Sequence, residues 1–126
     1  MVRKPVKVLL VDDELSVQKM IERRLAANGY EVVTANDGRH AIQFALEQSP
    51  DVIVMDIIMP GMNGDDVAYR LRKDKKTAHI PIIFLTCLVK PNEALASDFV
   101  VGENVMLPKP TDSARLISMI EKAVRN

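Results

Sequence analysis

Five short apolar runs punctuate the chain: Val6–Val11, Glu31–Ala35, Val52–Met55, Ile82–Leu85 and Val105–Leu107. They constrain its fold more than any other feature. Most are continuous rather than alternating, the pattern of strands covered on both faces. Segments of helical period fill the spaces between them. Val17, Met20, Ile21 and Leu25 form one apolar stripe, stopped by Asn28-Gly29. Ala41, Ile42, Ala45 and Leu46 form a second, and Val67, Ala68 and Leu71 a third, entered through Asn63-Gly64. Asn92–Val101 is a weaker fourth, closed by Gly102. Leu116, Ile117, Ile120 and Val124 form a fifth, with Thr111 or Asp112 as N-cap. Strand starts lie 25, 21, 30 and 23 residues apart, which suits right-handed strand–helix–strand crossovers. The expected fold is α/β: a doubly wound, five-stranded parallel sheet with five helices on both faces. Pro108 cannot donate to a ladder, so the last strand is expected at a sheet edge, where the order 2-1-3-4-5 puts it.

The whole chain, residues 1–126, reads as one domain, without repeat, low-complexity tract or linker. Lys+Arg and Asp+Glu both number 17, so the net charge is zero. With no Trp, two Tyr and three Phe, the chain lacks the basic surplus and aromatic platforms of a general nucleic-acid binder. One cysteine, Cys87, excludes an internal disulfide and a multi-cysteine zinc site. Val8–Val11 is too short for a signal-peptide core, and no segment is long enough to span a membrane, so the expected location is cytoplasmic.

Ligands of an open parallel sheet bind beyond the carboxyl ends of its strands. Strand 1 delivers Asp12-Asp13-Glu14 there, strand 3 delivers Asp56, strand 4 Thr86 and strand 5 Lys109. Strands 1 and 3 are expected neighbours, which gathers Asp12, Asp13 and Asp56 into one acidic pocket. Three crowded carboxylates repel one another unless a cation joins them. Oxygen-only ligands suit a hard ion, Mg²⁺ above all, with Mn²⁺ as its substitute. A carboxylate can also be a nucleophile that forms an acyl phosphate. Lys109 and the metal would neutralise phosphoryl charge, and the Thr86 hydroxyl could bond a phosphoryl oxygen.

These residues resemble the receiver domains of two-component response regulators. The matching pieces are Leu10-Val11-Asp12-Asp13-Glu14, the run from Asp56 through Met59-Pro60-Gly61 to Gly64, Thr86 after the fourth strand, and Lys109-Pro110 after the fifth. The resemblance spans essentially the whole chain and implies the flavodoxin-like fold. It implies that Asp56 is the phosphoacceptor, charged by a histidine kinase or a histidine phosphotransfer protein. It further implies Mg²⁺ ligation by Asp13, Asp56 and the backbone carbonyl of Ile58, with Asp12 acting mostly through a metal-bound water. Lys109 would contact the phosphoryl group, Pro110 would follow it through a cis bond, and Thr86 would move toward a phosphoryl oxygen. The output would be a switched protein–protein surface, with an unidentified downstream protein as target and dimerisation on phosphorylation left open. Direct binding of nucleic acid or membrane is not expected. Such a domain catalyses only its own phosphotransfer and slow autodephosphorylation, and is not otherwise an enzyme.

Some residues depart from that family's pattern. Met106 stands where Tyr or Phe is usual, so the coupling between Thr86 and an aromatic switch is in question, and Thr111 replaces the aromatic usual after Lys-Pro. Cys87 replaces a smaller residue, while Ile58 and Leu88 bring no polar group to orient an attacking water, which implies a long-lived aspartyl phosphate. Met106 also keeps in view a receiver-like scaffold that acts independently of phosphorylation. A phosphohydrolase would resemble Asp-x-Asp where this chain has Ile58 second after Asp56. A flavin carrier would need a phosphate-binding loop in place of Asp-Asp-Glu. Gly64 reads as a turn glycine, His40 and His79 as surface histidines, and Cys87 as a small buried hydrophobe. The basic group Arg70, Arg72, Lys73, Lys75 and Lys76 reads as charge at a helix C-terminus. The region of the fourth helix is the candidate partner surface.

Overall fold

The computed structural model of the protein describes residues 4–86, 99–101, 104–108 and 113–125, with side chains described for 4–85 and 114–125. The described residues form six strands: β1 (Lys7–Val11), β2 (Glu31–Ala35), β3 (Val52–Asp56), β4 (Ile82–Thr86), β5 (Phe99–Val101) and β6 (Asn104–Pro108). The described helices are α1 (Leu15–Ala27), α2 (Gly38–Gln48), α3 (Gly64–Lys73) and α4 (Ser113–Arg125). The sheet runs β2-β1-β3-β4-β6-β5. Every neighbouring pair is parallel except β5 with β6.

Side-chain alternation along the central strands divides the core in two. Leu9 and Val11 of β1, with Ile53 and Met55 of β3 and Phe84 of β4, pack on Ala41 and Ala45 of α2 and on Val67, Ala68 and Leu71 of α3. Val8, Leu10, Val52, Val54, Ile83 and Leu85 face the other way, onto Ile21 and Leu25 of α1 and Leu116, Met119 and Ile120 of α4. A strand buried on both faces has no solvent-facing position along its middle, which is why β1 after Lys7 and β3 before Asp56 read as unbroken apolar runs. Truncating any one of the larger of these side chains to alanine removes burial worth about 2–5 kcal/mol.

The order β2-β1-β3-β4 is the expected one, but an all-parallel sheet of five strands is not what forms. Phe99-Val100-Val101, read as the end of a fourth helix, is instead a short antiparallel edge strand on β6. The β-branched and aromatic side chains of this triplet favour a pleated backbone once a partner strand lies alongside. The strand that ends in Pro108 is therefore not the sheet edge. The proline rule nevertheless holds locally, because β5 pairs only with Asn104, Val105 and Met106 and leaves Pro108 beyond its reach. Residues 92–98 of the expected fourth helix, and the N-cap candidates Thr111 and Asp112, lie outside the described residues. Met20 also departs from expectation, lying exposed beside the buried stripe of α1.

The helix-end reading of the basic group covers Arg70, Arg72 and Lys73, which fill the last turn of α3, whereas Lys75 and Lys76 lie past it. Arg72 does more than complement the helix dipole. Its Nη1 donates to the carbonyls of Ala78 (2.9 Å) and Ile80 (2.8 Å), tying the helix end to the approach to β4. No helix among the described residues is long and apolar enough to cross a membrane.

Candidate functional site

The carboxyl end of β1 is shaped by its first aspartate. The Asp12 N–H donates to the Ala35 carbonyl at 3.2 Å, continuing the β1–β2 ladder by one residue. Its Oδ1 accepts the Glu14 N–H at 2.9 Å, an Asx turn that carries the chain into α1. Asp13, between them, is exposed. Asp56 is the last residue of β3, and Val11 pairs with Met55 in the neighbouring strand, so Asp12 and Asp56 follow in register. Asp12 is 1% exposed and Asp56 7%. Carboxylate oxygens of Asp12, Asp13 and Asp56 lie within 4.8 Å of one another. Such a set, all oxygen and without His or Cys, suits a hard divalent cation such as Mg²⁺.

The loop after β3 is held to the same end of the sheet. The Asn63 Oδ1 accepts the Met59 N–H at 3.2 Å, Gly61 adopts φ +81°, and Met59 is buried. The Gly64 N–H donates to the Ile57 carbonyl at 2.6 Å. Gly64 is not a turn glycine in the expected sense: unlike Gly61, it is not among the glycines with positive φ. It is required by space, since a Cβ there would stand 2.5 Å from the Asp56 carbonyl oxygen. Ile58, whose carbonyl the resemblance offers as a ligand, has a side chain left 56% exposed.

Thr86 ends β4, one residue beyond Leu85, the register partner of Asp56, and pairs with Pro108. Met106 pairs with Phe84 on one side and Phe99 on the other. Lys109, Pro110, Cys87 and Leu88 lie outside the described residues.

Two polar positions carry no signal in the apolar pattern of the sequence. Gln18 is buried on α1 and reaches the ends of β1 and β2. Its spacing three before Ile21 and seven before Leu25 puts it on the core face, a signal that counting apolar residues alone passes over. Asp37 caps α2, its Oδ1 accepting the His40 N–H at 2.8 Å, and the His40 ring lies 2.8 Å from its Oδ2. His40 is thus exposed, as expected, but engaged.

The His40 backbone N–H, and next its ring, hold the Asp37 carboxyl below the usual carboxylate range. A lowered native pKa contributes stability that is present above the unfolded-state value and is lost as pH falls through the native one. The carboxylate is 42% exposed, so solvent screens its charge and the cap bond carries most of the effect. Asp37→Ala is accordingly expected to cost about 1 kcal/mol at neutral pH. Thermal unfolding of both proteins across a pH series should show the difference shrinking below about pH 4. A constant difference would remove the charge from the account.

Comparison with known proteins agrees with this geometry. A family model described as the response regulator receiver domain matches residues 8–121. A probable transcriptional regulator, ycf27 of Guillardia theta, is 44% identical over 119 residues, covering 94% of this chain and 45% of the relative. The chain spans only part of such relatives, 26% of the response regulator PleD of Caulobacter vibrioides and 51% of the response regulator MprA of Mycolicibacterium vanbaalenii. A response regulator from Chloroflexus aurantiacus, of known crystal structure, superposes with a TM-score of 0.85 at 32% identity, covering 98% of this chain and all of the other. The receiver domain of the sensor histidine kinase PA1611 from Pseudomonas aeruginosa superposes with a TM-score of 0.82 at 30% identity, covering 98% and 100%, and its crystal structure has a magnesium ion coordinated in the active site cleft. Flavodoxin-like topology, an acidic trio at the carboxyl ends of β1 and β3, and a sequence match running from β1 into α4 lead to one assignment: the chain belongs to the response regulator receiver domain family.

Proposed function

We propose that this chain is a phosphorylation-controlled signalling receiver that takes a phosphoryl group on Asp56. The convergence of Asp12, Asp13 and Asp56 within 4.8 Å carries the reading. An Asp56 carboxylate oxygen attacks the phosphorus of a phosphohistidine on a histidine kinase or histidine phosphotransfer protein. A P–O bond forms, the P–N bond breaks, and its electron pair leaves with the imidazole. Asp12, Asp13 and Asp56, with the Ile58 backbone carbonyl, would hold Mg²⁺. The bound metal supplies positive charge that screens the carboxylates from the incoming phosphoryl oxygens. Lys109 adds a second cation, and Thr86, at the end of β4, bonds a phosphoryl oxygen and passes the change to the partner surface. The chain turns over no separate metabolite, and its output is contact with another protein.

Intact-mass spectrometry after incubation with Mg²⁺ and acetyl phosphate tests this. The wild type is expected to gain one phosphoryl group and Asp56→Asn none. The added mass should decay slowly, because Ile58 offers an attacking water no polar group. Equal labelling of the two proteins would refute Asp56 as acceptor. Absence of labelling with both acetyl phosphate and a protein phosphodonor would leave a phosphorylation-independent scaffold as the better account.

A further inference from the structure

We propose that Gln18 is a positioning residue that fixes the Asp12 main chain, and through it the spacing of the acidic pocket; this rests on the metal-dependent reading above. Gln18 lies on the core face of α1 and is 5% exposed. Its Nε2 meets three oxygens: the Ala35 carbonyl at 2.9 Å, the Asn36 Oδ1 at 3.0 Å and the Asp12 carbonyl at 3.3 Å. Two of these are backbone carbonyls, which only accept, so the nitrogen end of the amide must face them. Its two protons serve the two shorter contacts, and Asp12 shares one. The Ala35 carbonyl also accepts the Asp12 N–H. One side-chain amide therefore joins the end of β1, the end of β2 and the start of the connection to α2.

Burying an amide costs free energy unless it is hydrogen-bonded, and an apolar residue would satisfy the core here at no such cost. The three bonds of Gln18 go to groups at or beside the strand ends, and none goes to its own helix. The position has a mechanical consequence. Mutual repulsion of Asp12, Asp13 and Asp56 pushes the β1 end away from β3, and Gln18 opposes distortion of that end from the β2 side. The amide donates to no carboxylate of the trio in these three bonds, so it acts through the Asp12 peptide. Groups that orient metal ligands from outside the coordination shell typically change affinity by about 10–100-fold.

Titration with Mn²⁺, following the free ion by electron paramagnetic resonance, tests the assignment on the wild type, Gln18→Met, Gln18→Glu, Ile21→Ala and Asp56→Asn. Gln18→Met keeps length and apolar volume while removing the donor, and is expected to weaken Mn²⁺ binding on the order of tenfold. Gln18→Glu, which sets acceptors against acceptors, should weaken it at least as much. Ile21→Ala removes core packing one turn along the same face and should lower the melting temperature while leaving Mn²⁺ affinity within about twofold, since its side chain belongs to the apolar cluster of α1, β1 and β3 and offers no hydrogen bond. That split between affinity and stability is what a merely structural Gln18 would not produce. Wild-type affinity in Gln18→Met, or a loss no greater than in Ile21→Ala, overturns the proposal alone. Asp56→Asn binding Mn²⁺ as tightly as wild type would overturn the pocket reading and this proposal with it.

Discussion

Without metal, Asp56→Asn is expected to melt at a higher temperature than the wild type, and saturating Mg²⁺ should narrow that gap by raising the wild type more. Asp12 and Asp56 are almost fully buried, and their oxygens and those of Asp13 share a space of 4.8 Å. Two like charges about 5 Å apart repel by roughly 1 kcal/mol in water and about 3 kcal/mol at the effective dielectric of a protein surface. Asparagine at 56 removes the two repulsions that involve this residue and leaves only Asp12 against Asp13. Two repulsions of about 1–3 kcal/mol each set the gain at about 2–6 kcal/mol, worth roughly 6–20 °C for a domain of this size. Magnesium stabilises the wild type by linkage, about 2.7 kcal/mol at a hundred times the dissociation constant, and the variant loses most of that. Differential scanning calorimetry in EDTA and in excess Mg²⁺ reads both effects. An equal or lower melting temperature for the variant in EDTA would mean that the carboxylates do not destabilise one another in the folded protein.

The acidic trio was legible in the sequence because two facts fix it without any side-chain detail. The unbroken apolar runs identify β1 and β3 as interior strands, and the doubly wound order makes them neighbours, so whatever follows each run arrives at one place. Residues whose role depends on contacts across the fold were harder to see. Gln18 lies on the buried face of α1, yet a count of apolar residues assigns the stripe to Val17, Met20, Ile21 and Leu25 and includes an exposed Met20. The carbonyl ends of β1 and β2, with the Asn36 side-chain oxygen, make a buried amide useful at position 18. Asp37, four residues before Ala41, was visible in principle as a cap, but its meaning depends on where α2 begins. The edge strand Phe99–Val101 is shorter than either helical or strand periodicity can resolve, and its conformation follows from β6 alongside. Long-range pairing decided what local propensity left open.

Gly64→Ala is expected to impair the site and the fold together. As the first residue of α3, alanine would ordinarily be favoured over glycine, by up to about 1 kcal/mol. Here the new methyl would lie 2.5 Å from the Asp56 carbonyl oxygen, 3.0 Å from the Ile57 Cα and 3.1 Å from the Phe84 ring. The ring can rotate away, but the other two contacts are backbone of the residue that carries the proposed acceptor and of its neighbour. Relief requires α3 to lift or the Asp56 peptide to turn, and the Gly64 N–H bond to Ile57 opposes the first. Overpacking of this kind costs about 1–3 kcal/mol, so melting should fall by roughly 3–10 °C. Acetyl-phosphate labelling and the Mg²⁺-induced rise in melting temperature should both weaken, because turning the peptide moves the carboxylate. Gly29→Ala separates the causes. Gly29 has φ +90°, and a methyl added there would meet nothing within 4 Å, so its substitution strains the turn after α1 by about 1–2 kcal/mol without touching the pocket. It should lower stability and leave labelling intact. If Gly64→Ala instead behaves like Gly29→Ala, less stable but labelled at the wild-type rate, then α3 yields independently of Asp56, and Gly64 serves the fold alone.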